Sequence, residues 1–182
     1  MIIAVASGKG GTGKTTIAVN LALALEYESK NVKFFDCDVE ASNAYLFLKP
    51  QINHSEPVMT AYPTVDGTRC TFCGKCAEVC AFHALAVVKD RVLLFPELCH
   101  DCGGCEPFCP QKAIGKKEHK IGLLESGYAG NIAFFQGRLT PGEVFFAASN
   151  PGAKAHGDRG FNRHCGRHAG YFVPCRRSAR GE

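Results

Sequence analysis

No apolar run in this 182-residue chain reaches the roughly eighteen residues that a membrane-spanning helix needs, which argues against an integral membrane segment. The basic stretch and cleavable apolar segment of a secretory leader are missing as well. The chain begins with a short apolar run and a glycine loop, so a cytoplasmic location is the expectation. Long polar tracts are also lacking. With 46% hydrophobic residues the chain has enough apolar material for one ordinary core and a smaller one, although 20 Gly and 9 Pro require many turns. Finally, the basic charge is not spread along the chain. The formal charge is +4, but residues 149–182 hold seven Lys/Arg against two Asp/Glu, and the preceding 148 residues sum to −1. The body of the chain therefore gives no support for a nucleic-acid partner.

What the chain has in excess is cysteine. Of eleven, eight fall in two runs 29 residues apart, Cys70-x-x-Cys73-x-x-Cys76-x-x-x-Cys80 and Cys99-x-x-Cys102-x-x-Cys105-x-x-x-Cys109-Pro110. Repeated two-residue gaps belong to metal ligation rather than to a disulfide scaffold. A [4Fe–4S] cube needs one thiolate per iron. In the bacterial ferredoxin arrangement three close cysteines hold one cube and the fourth of each run reaches the other. By that rule Cys70, Cys73, Cys76 and Cys109 are expected to hold one cluster, and Cys99, Cys102, Cys105 and Cys80 the second. Two zinc sites are the alternative, disfavoured by the even spacing and by Cys109-Pro110. Ala81 stands where the first run's proline is expected, a change to the turn rather than to a ligand. Gly74, Gly103 and Gly104 let backbone amides approach the sulfides. Phe72, Phe82 and Phe108 read as packing, and no neighbouring Tyr or His signals substrate chemistry, so one-electron transfer or redox sensing is the expected role. Cys37 reads as a small buried hydrophobe, and Cys165 and Cys175 as without a role.

Ahead of these runs, Met1–Ala6 reads as a buried strand, Lys14 to about Ser29 as a helix with Ile17, Ala18, Leu21, Ala24 and Leu25 on its apolar face, and Val32–Asp36 as the next strand. This is the opening of an α/β unit with a right-handed crossover. Between strand and helix, Gly8-Lys9-Gly10-Gly11-Thr12-Gly13-Lys14-Thr15 has the spacing of a Walker A loop. Glycines let consecutive N–H groups face a phosphate chain, Lys14 is placed to reach the β- and γ-phosphates, and the Thr15 hydroxyl to bind Mg²⁺. Thr16 closes the phosphate-binding run but reads as helix packing. Asp36-Cys37-Asp38-Val39-Glu40 follows the second strand, where open α/β sheets place their ligands. Asp38 is the leading carboxylate. Asp36 comes next, with a strand-end cap as its alternative, and Glu40 and Asn43 follow.

The double-lysine loop and the Asp36–Asn43 segment resemble the MinD/ParA-like P-loop ATPases. Together with the eight cysteines, the chain resembles members of that superfamily carrying an inserted bacterial-type 2[4Fe–4S] ferredoxin domain. The resemblance implies ATP and Mg²⁺ as ligands, a homodimer closed through the nucleotide face with Lys9 reaching the partner's phosphates, and Asp38 orienting the attacking water. It covers about residues 1–145, including Ile121-Gly122 and Gly137–Glu143. Members of the family usually continue further, so the chain reads as truncated. Ala169–Cys175, back-translated and shifted by one nucleotide, can spell a segment similar to the family's switch region, which raises a frameshift or mistaken gene boundary after about residue 148 as an expectation.

The expected fold class is α/β, a partial parallel-sheet P-loop domain with an inserted ferredoxin-like α+β module. Its parts are residues 1–61, the insert 62–116, a return over 117–148, and an atypical tail 149–182 in which no helix or strand period persists. Residues 41–49 suggest a short helix, 50–69 a boundary, Val87–Phe95 a hairpin, Lys120–Leu124 and Asn131–Gly137 strands, and Arg138–Glu143 a turn. The leading functional expectation is an ATP-binding iron–sulfur protein, an ATPase by motif, coupling nucleotide state to electron transfer or to docking of a redox partner protein. A cluster carrier or assembly scaffold, and an electron-transfer ferredoxin with a non-hydrolysing P-loop, are the alternatives.

Overall fold

The computed structural model describes residues 1–28, 30–144 and 170–176. In chain order the elements are β1 (Ile2–Ala6), α1 (Lys14–Tyr27), β2 (Asn31–Asp36), α2 (Ala44–Leu48), β3 (Gln51–Val65), α3 (Lys75–Glu78), β4 (Leu85–Val88), β5 (Arg91–Leu94), a 3-10 turn (Pro96–Leu98), β6 (Ile114–Ala129), β7 (Ile132–Leu139) and β8 (Gly170–Arg176). The described residues divide into two compact units. The first is Met1–Val58 with Gly122–Pro141 and β8, and the second is Met59–Ile121 with residues 142–144. No helix among the described residues is long and apolar enough to cross a membrane.

The first unit is built on a sheet of order β1-β8-β2-β7-β6-β3. The pair β2–β7 is parallel, and its register places Phe34 beside Phe134 and Phe35 beside Phe135. Because side chains alternate across a strand, one pair of stacked rings faces each side of the sheet. Phe34 and Phe134 join Ala18, Val19, Ala22 and Leu25 of α1 in the main core, while Phe35 packs with Cys37 and Leu124 on the other face. The buried face of α1 is the expected one in part: Ala18 and Leu25 are buried and Leu21 packs on the core, but Val19 and Ala22 take the places expected for Ile17 and Ala24. Ile17 is exposed, and the alanines at 18 and 22 turn inward, where their small side chains let the helix lie close to the sheet.

Two further expectations are corrected, and a third holds in part. The sheet is mixed rather than wholly parallel, because β6 and β7 form an antiparallel hairpin from Gly122↔Leu139 to Ala129↔Ile132, and β8 runs antiparallel to both β1 and β2. The division between the units after Val58 falls within the stretch read as a boundary over 50–69, but that stretch also contains the 15-residue β3, which was not expected. Its Pro57 and Pro63 mask the strand in sequence, and they are accommodated because β3 lies at the sheet edge, where a missing N–H need not break the ladder. Gly127 faces the start of β3 so closely that an added Cβ would lie 2.0 Å from the Gln51 carbonyl oxygen. In the tail, Gly170–Arg176 forms β8 instead of continuing without an element, and residues 149–169 and 177–182, Cys165 among them, lie outside the described residues.

The second unit carries the cysteine runs, with β4 and β5 pairing from Leu85↔Leu94 to Val88↔Arg91 between them. Its backbone repeats with the sequence period of 29. Left-handed conformations recur at Phe72 and Asp101, at Gly74 and Gly103, and at His83 and Lys112. The hydrogen bond from Asp66 N–H to the Ala113 carbonyl has its counterpart from Phe95 N–H to Ala84, both at 2.8 Å. Each half thus ties its start to the end of the other half, which explains why neither run can complete its loop alone.

Candidate functional site

The glycine loop between β1 and α1 adopts left-handed conformations at Gly11 and Gly13, the latter capping the helix, and these favour glycine. A Cβ at Gly8, Gly10, Gly11 or Gly13 would meet nothing within 4 Å, so the inner surface of the loop is open to a ligand. Three polar groups hold the loop in shape through one carbonyl. The Lys9 oxygen accepts from Ser7 Oγ at 2.9 Å, from Thr12 Oγ1 at 3.3 Å and from Lys14 Nζ at 3.3 Å. The Lys14 ammonium is thus held at the loop it would leave for a phosphate. Lys9 itself is exposed, and so is Thr16, which corrects its reading as helix packing.

Thr15 Oγ1 donates to Asn43 Oδ1 at 2.9 Å, which joins the proposed Mg²⁺ ligand to the segment after β2. Within that segment Asp36 is fully buried. Its Oδ1 accepts from Asp38 N–H at 3.1 Å and its Oδ2 from Ala44 N–H at 3.2 Å. Burial pushes its carboxyl up to about 6, with the hydrogen bonds from Ala44, Asp38 and Ser42 acting against that rise. Asp36 therefore shapes residues 38–44 as a buried cap, and the half-buried Asp38 and the exposed Glu40 are the carboxylates left outside it.

Sequence reasoning missed what stands behind this cap. Ser42 Oγ lies 3.1 Å from Asp36 Oδ2 and 3.0 Å from Gln136 Oε1, and Gln136 Nε2 donates to Glu125 Oε2 at 2.6 Å. Arg138 Nη1 is 3.7 Å from the same Glu125 oxygen. Asp36, Gln136 and Glu125 are all buried, so a polar chain runs from β2 through β7 to β6. The sequence signal that could have flagged it is a glutamine within an otherwise apolar strand, Ile-Ala-Phe-Phe-Gln136.

In the second unit all eight cysteines of the two runs are free thiols. They line two cavities. One, of about 520 Å³, is bordered by Cys80, Cys99, Cys102 and Cys105, and the other, of about 370 Å³, by Cys70, Cys73, Cys76 and Cys109. Each cavity thus takes three cysteines from one run and the last from the other. Backbone amides point at the sulfurs in repeated fashion. Ala84 N–H donates to Cys80 Sγ at 3.3 Å and Ala113 N–H to Cys109 Sγ at 3.2 Å, while Phe72 N–H donates to Cys70 Sγ at 3.4 Å. Burial raises the thiols of Cys76, Cys99 and Cys105 above their ordinary value, and N–H groups of Ala77, Asp101 and Cys105 respectively oppose it. Four sulfurs around a cavity, with amides aimed at them, fit a [4Fe–4S] cube, whose iron would supply the positive charge that thiolates in these half-buried loops need.

Among the described residues, no group of three or more His, Cys, Asp or Glu is arranged to hold a single metal ion. Phe82 packs as expected, but two other expectations are corrected here, the absence of a neighbouring His and the packing of Phe108. His100, beside Cys99, borders the larger cavity and stacks on Phe82 with ring centroids 3.7 Å apart, so an imidazole does sit at this site. Phe108 is exposed rather than packed. Cys37 is buried as expected, and its sulfur is in a disulfide.

The model of the CobQ/CobB/MinD/ParA nucleotide binding domain matches residues 3–159. The chain is 35% identical over 143 residues to an uncharacterised protein of Methanocaldococcus jannaschii, a match covering 79% of this chain and 50% of that protein. It is 31% identical over 67 residues to a ferredoxin of Streptomyces griseus, covering 37% of this chain and 64% of the ferredoxin. It is also 42% identical over 67 residues to an iron–sulfur cluster carrier protein of Escherichia coli K12, covering 32% of this chain and 18% of the carrier. The chain spans about half the length of the curated Methanocaldococcus relatives it matches.

Proposed function

Because the chain belongs to the CobQ/CobB/MinD/ParA nucleotide-binding family, we propose that it is an ATP-binding iron–sulfur protein whose nucleotide state governs electron transfer or docking of a redox partner. The observation that carries this reading is the pair of four-cysteine cavities, each completed by a cysteine from the opposite run, in a chain that also holds a Walker A loop. In this reading residues 62–116 are the inserted cluster domain, and residues 1–61 with 117–148 form the nucleotide-binding part. A cytoplasmic location belongs to this reading, because thiolate ligation of clusters needs the eight cysteines of the two runs kept reduced.

The amides of Gly8–Thr16 and the Lys14 ammonium would bind the ATP phosphates, and Thr15 would hold Mg²⁺. The ion, when bound, supplies charge compensation for the transferred phosphoryl group. Thr15 would exchange Asn43 for the ion, and Lys14 would exchange the Lys9 carbonyl for phosphate, so both side chains start in positions that ligand binding must release. Asp38 would orient water, and Lys9 would cross to the nucleotide of a second copy, closing a homodimer only when both copies are loaded. The clusters, when bound, supply one-electron redox capacity, and the cysteine loops would hold them and limit their contact with water.

A carrier role is the second reading, favoured by the exposure of one cysteine in each set, Cys73 and Cys102, which would give an acceptor access to each cluster. Anaerobic purification followed by iron, sulfide and nucleotide quantification tests the main reading. Two four-iron clusters and bound nucleotide are expected, with cluster potentials or oligomeric state responding to Mg-ATP. Zinc or no metal, with no four-iron signal after reconstitution, would overturn it. Rapid transfer to an apo-protein, with no response of either quantity to nucleotide, would favour the carrier.

A further inference from the structure

The period of 29 gives the cluster sites an internal control, because each position in one half has an equivalent in the other. Amides donate to Cys80 and Cys109 alike, and to Cys70 and Cys99 alike. The second cysteine of each run, Cys73 and Cys102, is exposed, and the other six are half-buried. Ligand set and exposure are thus matched, and so are these amide bonds, although the Ala77 N–H at Cys76 has no counterpart at Cys105. Charge is not. Asp101, Glu106 and Lys116 border the larger cavity, where the equivalent positions near the smaller one are Phe72, Ala77 and Val87. The smaller cavity has Lys75 on its border, equivalent to Gly104.

We propose that the two cluster sites are electrostatically unequal, the cluster held by Cys80, Cys99, Cys102 and Cys105 having the more negative reduction potential, with Glu106 and Lys116 adjusting it in opposite directions. Reduction adds a negative charge to a cluster, so neighbouring carboxylates oppose it and ammonium groups favour it. Two carboxylates outnumber one lysine at the larger cavity, and Lys75 has no bordering carboxylate to oppose it at the smaller. The first electron therefore enters the cluster held by Cys70, Cys73, Cys76 and Cys109.

Lys116 is held where its charge matters. Its Nζ would lie 3.1 Å from a Cβ placed on Gly103, against none within 4 Å at the equivalent Gly74, so the ammonium rests on the backbone of the cysteine loop. Glu106 Oε2, 3.4 Å away, holds it there. Both side chains are about half exposed, so solvent and salt reduce their effect without cancelling it.

This inference rests on the reading that two four-iron clusters bind, and its test is built to fail separately. A redox titration of the anaerobically purified chain, followed by electron paramagnetic resonance, is expected to show two successive one-electron steps. Lys116→Met should move the more negative step further down, Glu106→Gln should move it up, and Lys116→Arg should leave it in place, while the other step stays fixed. Absence of four-iron signals would sink the functional reading. Two clusters titrating together, or a Lys116→Met variant that shifts the higher step or neither, would sink this inference alone. Because both side chains lie at the surface, the variants should keep their iron content, which the same samples report.

Discussion

In the cysteine unit, every cysteine proposed as a ligand lies within Cys70–Cys109, and the loops that aim amides at the sulfurs are written twice in the local sequence. In the nucleotide unit the phosphate loop is just as local, but the segment facing it is held by a chain of side chains that reaches from Asp36 through Ser42 and Gln136 to Glu125. A repeat of short loops fixes a site through spacing and backbone conformation. A buried polar chain fixes one through contacts that exist only once the sheet has assembled, and each of its members is costly to leave unpaired. The two sites should therefore fail differently when perturbed.

The largest effects separate the two units. Cys80→Ala should remove about half of the iron and sulfide, because each cube needs four thiolates, and leave nucleotide binding in place. Since Cys80 borders the cavity of Cys99, Cys102 and Cys105, the surviving signal should be that of the higher-potential cluster. Survival of the lower-potential one would mean that each run holds its own cluster. Conversely, Lys14→Ala should abolish measurable nucleotide binding with the iron content unchanged, as read by equilibrium dialysis and metal analysis of the same sample. Loss of both activities in either variant would break the contrast between the units.

That contrast also explains what the sequence disclosed. The partition of cysteines between the cavities was legible because cysteine spacing is a local property, and so were the helix after the glycine loop and the hairpin expected over Val87–Phe95, which begins two residues earlier at Leu85. Edge strand β3 was not, since Pro57 and Pro63 hide a strand whose partner lies on the far side of the cysteine unit in sequence. The inward face of α1 was read correctly at Ala18 and Leu25 and misread at Ile17, which apolarity alone favours, whereas close packing on the sheet selected Val19 and Ala22. The Ser42–Gln136–Glu125 chain was invisible for the same reason as β3: its members are brought together only by the sheet register. Lys116 and His100 became meaningful only beside the cavity they border.

An intermediate effect should come from cutting that chain. Gln136→Leu removes one hydrogen bond each from the buried Glu125 and the half-buried Ser42, leaving Glu125 the 3.7 Å contact with Arg138 and Ser42 its bond to Asp36, and a destabilisation of about 1–3 kcal/mol is expected from two such losses. Denaturant unfolding followed by far-ultraviolet circular dichroism measures it. The same variant should weaken Mg-nucleotide binding more than metal-free nucleotide binding, because Asn43, which holds the Thr15 hydroxyl, follows directly on Ser42. A loss below about 0.5 kcal/mol, the scale of ordinary surface substitutions, would show that the chain does not bear on the fold.

The smallest effect lies in pH, and it singles out Asp36. Its carboxyl titrates at about 6 in the fold against 3.8 unperturbed, so near pH 6 the native chain binds more protons than the unfolded one. The protonated form is then the better fitted. Its own O–H can serve Ser42, which frees the Ser42 proton for Gln136, whereas the ionised form must share that single proton with the glutamine. Stability from this group is fully present below the unfolded value and is lost as pH rises through the folded one. Between about pH 5.5 and about pH 7.5 the loss should be about 1 kcal/mol. Asp36→Asn removes the titration, so wild type should lose that amount relative to the variant across the window, whatever the variant's own stability. A stability difference between the two proteins that does not change with pH would mean that Asp36 keeps its charge throughout, and the buried chain would then have to be redrawn around an ionised carboxylate.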